Sequence, residues 1–216
     1  LAGTQIFGVF RSIDRGESWS PVGGGLPLNP WLNSLTIGPG DSLFAGACGG
    51  GGCGSFRSND GGQTWQKIAL DLPADMTLES LATDTNGDLL AGFYSGGVNG
   101  TGIYRSLDGG KHWRKLEGLP EGAYATSLVR EPSGRFLAAI LQRTPEGKTL
   151  GLGLYRSTSD GAIWKPANFN FPVSDYLFAD HLTVSSAGSV IVDLHWPTGE
   201  GIFKSTDRAP SWRSVL

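Results

Sequence analysis

The strongest constraint on this chain is a segment that it repeats five times. RSIDRGESW ends at Trp19, RSNDGGQTW at Trp65, RSLDGGKHW at Trp113, RSTSDGAIW at Trp164 and KSTDRAPSW at Trp212. Successive tryptophans are 46, 48, 51 and 48 residues apart. The first three copies fit S-x-D-x-G-x-x-W without exception. At average residue usage that template arises on the order of once per 10⁵ positions. A fixed period of this size means one supersecondary unit stacked on copies of itself.

The remainder of each unit repeats as well. A first strand is expected at SLTIG (Ser34 to Gly38), at SLATD from Ser80, at SLVRE from Ser127 and at HLTVS from His181. Turns rich in Gly, Asn and Ser follow, then second strands LFAGA, LLAGF, FLAAI and VIVDL. The third strand runs into the Ser-Asp turn and the fourth begins at each Trp. Links to the next unit end at Pro27, Pro73, Pro120 and Pro172. Four short strands joined by tight turns describe one blade of a β-propeller. The sequence therefore predicts a single all-β propeller domain with blades at about 1–25, 31–72, 77–119, 124–170 and 179–216. Leu1 to Thr4 align with the second strand of later blades, which makes the first blade three-stranded and the other four complete. Two arrangements fit: a five-bladed ring, or part of a larger propeller with further blades or domains.

Composition agrees with this and limits the partners. Glycine (34) and proline (12) are abundant, but so are Trp (7), Phe (10) and Tyr (5), and a disordered chain is poor in aromatics. The net charge is −3, with 17 basic against 20 acidic residues and no basic run. That disfavours nucleic acid and anionic membrane surfaces. No apolar stretch approaches the length of a membrane span. No cofactor is implied.

The Ser-Asp turn has a physical logic. Asp and Ser side chains bond their own backbone and fix the bend. Gly16, Gly62 and Gly110 are expected at positive φ. Each Trp is expected to fold back over the outer hairpin. A carboxylate repeated in every blade is a poor catalytic device, so Asp14, Asp60, Asp108 and Asp207 read as structural, with Trp19, Trp65, Trp113, Trp164 and Trp212. Two copies depart from the pattern: Ser159 takes the Asp place in the fourth, and Ala209 the Gly place in the fifth. Looser or differently bent turns are expected there.

These residues are those of the Asp-box, or BNR-repeat, family, and the chain resembles Asp-box β-propellers over its whole length. The family includes sialidases, xyloglucan-cleaving glycosidases, sortilin-like receptors and propellers similar to the photosystem II assembly factor. The resemblance implies the blade and is almost silent about activity.

Ligands of such a scaffold are expected on the face opposite the Ser-Asp turns, where loops vary on a rigid frame. Trp31 and Trp196 lie outside the repeat and are expected there, partly exposed. Tyr94, Tyr124, Tyr176, Phe169, Phe171 and Phe178 fall in the same set of segments. Exposed aromatics stack on sugars or fill a partner's pocket, whereas buried ones plug the space between blades. Asp193 and His195 share one face of a strand, and hairpin pairing predicts Asp180 opposite His195. Asp193 stands where the other full blades carry Gly46, Gly92 and Ala139, a break in the repeat that points to function. Trp31, Trp196, Tyr94, Tyr124, Tyr176 and His195 are thus the candidate ligand-binding residues.

A glycosidase needs two suitably spaced carboxylates, and Glu79, Asp180 and Asp193 are the candidates near the inner strand ends. Sialidases bind their substrate's carboxylate with three arginines. Here Arg11, Arg57, Arg105 and Arg156 occupy one repeated position before the Ser-Asp turn, which reads as blade packing rather than a triad. Cys48 and Cys53, four glycines apart, fit a disulfide across a hairpin. A reduced pair is the next reading, and a metal site the last, because two thiolates alone do not complete a zinc site. A disulfide favours an oxidising compartment. Together these features predict an exported bacterial recognition or scaffold module that binds a protein or glycan through its loop face, secreted, periplasmic or at the cell surface. A glycoside hydrolase, or part of one, is the alternative.

Overall fold

The computed structural model describes residues 1–216 apart from 5, 51, 69–70, 73–75, 159–160, 168–170, 172–175, 186–187, 207–211 and 216. The expectations for Asp207, Ser159, Ala209, Phe169, Pro73 and Pro172 therefore lie outside the described residues. The architecture is all-β, in five antiparallel sheets. Blade 1 has three strands, β1 (Ala2–Gly3), β2 (Val9–Arg11) and β3 (Ser20–Val22). Blade 2 comprises β4 (Leu28–Ile37), β5 (Leu43–Gly50), β6 (Gly52–Ser58) and β7 (Gln66–Lys67). Blade 3 comprises β8 (Thr77–Thr83), β9 (Leu89–Tyr94), β10 (Gly102–Ser106) and β11 (Arg114–Lys115). Blade 4 holds β12 (Ala123–Arg130), β13 (Phe136–Arg143), β14 (Thr149–Ser157) and β15 (Trp164–Pro166). Blade 5 holds β16 (Phe178–Val184), β17 (Ser189–Trp196), β18 (Gly199–Thr206) and β19 (Arg213–Ser214). Each strand pairs with its sequence neighbours. Among the described residues no helix is long and apolar enough to cross a membrane.

Blade 2 begins at Leu28 rather than at residue 31, because β4 continues upstream of the Ser34–Gly38 segment through irregularities between Leu28 and Trp31 and between Leu32 and Ser34. First strands neighbour one another, β4 against β8, β8 against β12 and β12 against β16. This row of strands forms the inner wall.

The core is divided among blade junctions. Four apolar clusters are present among the described residues, one for each of the junctions 1/2, 2/3, 3/4 and 4/5. Alternation along the strands sends one set of side chains to the preceding blade and the other to the following one. Phe44 of blade 2, for example, packs with Trp113, Phe93 and Tyr104 of blade 3. None of the substantial strand packing among the described residues joins blade 5 to blade 1.

The repeated tryptophans sit at these junctions, which corrects the expectation that they cover the outer hairpin of their own blade. Trp65, Trp113, Trp164 and Trp212 each join the cluster shared with the preceding blade and are at most 7% exposed. A flat, wide ring fills a gap between two sheets better than it covers a narrow two-residue fourth strand. Trp19 is 45% exposed, since no described blade precedes its own.

The Ser-Asp turn is held by the same bonds in blades 1, 2 and 3. Ser12, Ser58 and Ser106 donate their hydroxyls to Asp14, Asp60 and Asp108 at 2.7–2.8 Å. The N–H groups of Gly16, Gly62 and Gly110 donate back to those serines at 2.7–2.9 Å. These three glycines have φ of 97°, 88° and 91°, where a side chain would be strained. Each Trp Nε1–H then donates to the carbonyl of its turn glycine at 3.0–3.1 Å. In blade 4 the bonds among the described residues differ. The Ser157 hydroxyl donates to the Thr158 carbonyl and the Gly161 N–H to the same oxygen. The buried Trp164 Nε1 has no partner among the described residues.

Candidate functional site

Two groups of residues occupy the end of the propeller away from the Ser-Asp turns, together with the wall formed by the first strands. The first group is built on β-bulges. In each complete blade the first strand slips register at an equivalent place, at Asn33, Glu79 and Thr126 and at the pair Asp180–His181, and β4 has a second irregularity between Leu28 and Trp31. A bulge leaves a residue unpaired and re-aims its side chain. Residue type gives little sign of a bulge, so the sequence reading missed Asn33 and Thr126. The recurring S-L of the first strands, directly after each of the first three bulges, is the signal that marks the place.

Across blades, Asn33 donates its side-chain N–H to Glu79 at 2.8 Å. Burial raises the Glu79 carboxyl above its ordinary range, and the Asn33 bond opposes the rise. Tyr124 is buried and its hydroxyl is pushed up to about 12, first by burial, then by the Glu79 charge and by Tyr94, with Arg143 pulling the other way. The rings of Tyr94 and Tyr124 pack with centroids 4.9 Å apart. Tyr124, expected among the ligand-facing aromatics, is therefore corrected to a plug between blades 3 and 4, where it joins the wall behind Glu79.

The second group surrounds His195. Its Nε2 lies 3.1 Å from Asp180 and 3.6 Å from Asp193, and its Nδ1 lies 3.2 Å from Glu200. The predicted register is corrected: Phe178, not Asp180, is opposite His195, because the bulge at Asp180–His181 shifts the pairing. From the bulge Asp180 still reaches the imidazole. Glu200 was not foreseen, although it stands directly across the hairpin from His195. All four side chains are at least 40% exposed, where such pairs contribute little to stability. Among the described residues no cluster of His, Cys, Asp and Glu is arranged to hold a metal ion.

Asp193 has a physical explanation of its own. A Cβ on Gly46 would lie 1.8 Å from the Leu78 carbonyl oxygen, and one on Gly92 2.1 Å from that of Ala125. Close approach of the next blade therefore excludes a side chain in blades 2 and 3. Among the described residues no strand of blade 1 packs substantially on blade 5, so the close approach that excludes a side chain at Gly46 and Gly92 has no counterpart from a blade 1 strand at Asp193.

A third region is apolar and exposed. Trp31 is 56% exposed, Leu28 77%, Phe7 71% and Ile6 64%. The loop of blade 1 that carries Ile6 and Phe7 lies against β4, where Gly8 is against Pro30 and the Leu32 N–H donates to the Thr4 carbonyl at 3.4 Å. Trp31 is also paired across β5 with Cys48. Cys48 and Cys53 face each other at the end of the β5–β6 hairpin and form a disulfide. Trp196 differs from Trp31: it is partly buried, against Phe203 and over Gly199. Tyr176 is exposed, Phe171 is buried between Phe203 and Trp212, and Phe178 is partly buried.

The repeated arginines are engaged on the opposite end. Arg105 bonds Asp84 at 3.3 Å and Asp88 at 2.7 Å, Arg156 bonds buried Glu131 at 2.8 Å, and Arg57 lies over the Phe44 ring. Each ties its third strand to a neighbouring turn or ring. A hollow of about 650 Å³ beside Arg156 and Lys165 also lies at this end, in the blade whose box is degenerate. Its counterpart in blade 3 is about 330 Å³ and is lined by Asp108 and His112.

Comparison with known proteins agrees with this architecture. Residues 56–67 match the BNR/Asp-box repeat. With that repeat and five blades of this construction, the chain has a β-propeller fold and resembles Asp-box β-propellers. Among solved structures it is similar to a xyloglucanase from Xanthomonas campestris at 19% identity, covering 96% of this chain and 34% of that one, with a TM-score of 0.68. A Hadza microbial sialidase is similar at 16% identity, 87% and 46% coverage and a TM-score of 0.55. A gluconolactonase from Xanthomonas campestris aligns at 18% identity, 87% and 65% coverage and a TM-score of 0.55. The chain thus spans between about a third and just under two thirds of the length of these structures. No curated protein matches it in sequence. Three unlike activities on one scaffold show the fold and leave the activity to the site.

Proposed function

We propose that this propeller is an exported, non-catalytic recognition module that holds a protein or glycan against its loop face. The observation that carries the reading is the exposed group of Trp31, Leu28, Phe7 and Ile6 on two adjoining segments. Large apolar side chains gathered at one place on a soluble surface mark interaction sites. An exposed tryptophan supplies contact area at low entropic cost, on a rigid frame of sheet and disulfide. The aliphatic surround favours a protein surface, while a bare Trp face also suits a sugar ring. The disulfide fits an oxidising compartment, outside the cytoplasm of a bacterium. A glycan array together with a pull-down, run with the unmodified protein and with Trp31→Ala, tests the reading. Capture that depends on Trp31 supports it, and turnover of a glycoside without capture contradicts it.

A second reading is a glycoside hydrolase, and one observation favours it. Glu79 is a carboxyl held in its protonated form to higher pH than usual, as a general acid requires. A second carboxylate would have to come from Asp180 or Asp193, both of which lie beside His195. Release of reducing sugar or sialic acid that disappears in Glu79→Gln would establish this reading in place of the first.

A further inference from the structure

At the Ser-Asp end a hollow lies at the same place in blades 2, 3 and 4. It sits beside the repeated arginine of the third strand and the residue paired with it on the fourth. These pairs are Arg57 with Gln66, Arg105 with Arg114 and Arg156 with Lys165. The hollows measure about 130, 330 and 650 Å³ in blades 2, 3 and 4. Small-molecule sites occupy roughly 300–1,000 Å³, and the blade 4 hollow lies well inside that range.

Three departures from the repeat set blade 4 apart. In blades 1, 2 and 3 the side chain just before the tryptophan bonds the aspartate of the turn: Ser18 to Asp14, Thr64 to Asp60 and His112 to Asp108. In blades 2 and 3 both members of that pair stand in the wall of the hollow. Blade 4 carries Ser159 and Ile163 at these two positions, and the Ile163 side chain has no polar atom to offer a carboxylate. The acid of this copy, Asp160, stands one place later and lies outside the described residues. The third departure is in the turn between first and second strands. The Asp84 N–H donates to the Asp88 carbonyl in blade 3 as the Glu131 N–H donates to the Arg135 carbonyl in blade 4. Arg135 thus occupies the place of Asp88, an acid that blade 3 uses to hold Arg105.

These changes leave cations in the wall without acids. Arg156 is held by buried Glu131, through Nε at 3.1 Å and Nη2 at 2.8 Å. Arg135 and Lys165 are exposed, and among the described residues neither takes part in an ion pair. Ser133 adds a hydroxyl-bearing residue to the wall, and Ile163 and Pro166 add apolar surface. Arginine and lysine gathered about one cleft attract oxyanions, arginine through its planar fork and lysine as a point charge. Two uncompensated positive charges match a phosphate monoester, which carries about −1.5 to −2 at neutral pH. A hollow of this size has room for an organic body behind the phosphate.

We propose that the blade 4 hollow binds the phosphate monoester of a small polyhydroxylated molecule such as a sugar. Arg135 and Lys165 hold the phosphate, and Ile163 and Pro166 carry the C–H face of the ring. The site is separate from the loop-face patch around Trp31 and stands or falls without it.

Calorimetric titration with glucose 6-phosphate tests the proposal, with glucose, glucuronate and inorganic phosphate as comparison probes. Glucose 6-phosphate is expected to bind, glucose to give no signal, and glucuronate and inorganic phosphate to bind at least about tenfold more weakly. Arg135→Asp and Lys165→Gln give blade 4 the residue types that blades 3 and 2 carry at Asp88 and Gln66. Both change exposed side chains, so Tm is expected to stay within about 2 °C of the parent. Each is expected to weaken glucose 6-phosphate binding at least about tenfold, as for loss of a hydrogen bond to a charged group. Absence of glucose 6-phosphate binding overturns the proposal. So does equal affinity for glucuronate or inorganic phosphate, or an affinity unchanged in either variant.

Discussion

The two ends of this propeller are built on opposite principles. At the Ser-Asp end, blades 1, 2 and 3 repeat the same Ser-to-Asp, Gly-to-Ser and Trp-to-Gly bonds. At the loop end no two blades agree. Blade 2 has a disulfide and exposed Trp31, blades 3 and 4 share the Tyr94–Tyr124 pair beside Glu79, and blade 5 has an imidazole among three carboxylates. A bond set repeated in consecutive blades serves what the blades have in common, which is packing on a neighbour. Whatever distinguishes this protein from another propeller has to be written where the blades differ.

That contrast breaks most visibly at the tryptophans. Trp65→Ala removes a side chain 3% exposed from the junction of blades 1 and 2, and is expected to cost about 3–5 kcal/mol in urea denaturation. Trp19→Ala, in the same turn but with the ring nearly half exposed, is expected to cost only about 1–2 kcal/mol. Equal losses would mean that the ring acts through its own turn rather than through the junction. Asp60→Ala should destabilise less than Trp65→Ala, because it unties an exposed turn and leaves the junction filled.

The acid response separates the two ends next. Thr64 and Ser58 hold the Asp60 carboxyl at about 2, below its ordinary 3.8. Its stabilisation is present above about pH 3.8 and lost as pH falls through 2. Glu79 has the opposite sign. Its folded-state value is raised above 4.5, so its ionisation costs stability at neutral pH and protonation removes the cost on acidification. Glu79→Gln should therefore stabilise the protein at pH 7, and the gain should vanish below about pH 4.5. Denaturation curves of the parent and both variants between pH 2 and 7 check the two signs. The smallest expected effect on stability is that of Trp31→Ala, which removes an exposed ring and should leave Tm unchanged within about 2 °C.

Much of the Ser-Asp end was legible from residue types, because each has a restricted physical use. Gly16, Gly62 and Gly110 tolerate positive φ, Ser and Asp bond backbone in turns, and Trp needs a wide apolar slot and one acceptor. The direction in which the ring leans was not legible, since one blade's sequence does not show which neighbour covers it. The first-strand bulges were hidden for another reason: Asn33, Glu79, Thr126 and Asp180 share no residue type, only a place before the recurring Ser-Leu or His-Leu. Tyr124 looked like a loop-face aromatic by position and is buried by a tertiary contact with Tyr94. The arginine pairs with Asp84, Asp88 and Glu131 could have been found, because acidic residues recur in the turns that face the repeated arginines.

The loop end, through the patch around Trp31, is where this protein is proposed to hold a partner. The most direct measurement is the retained fraction in a pull-down and glycan array with the unmodified protein and Trp31→Ala, both confirmed to have the same Tm. The expected result is specific retention by the unmodified protein and at least about a tenfold loss in Trp31→Ala, as for an aromatic anchor buried in an interface. Retention that is equal in the two proteins would contradict it, as would glycoside turnover abolished by Glu79→Gln with nothing retained.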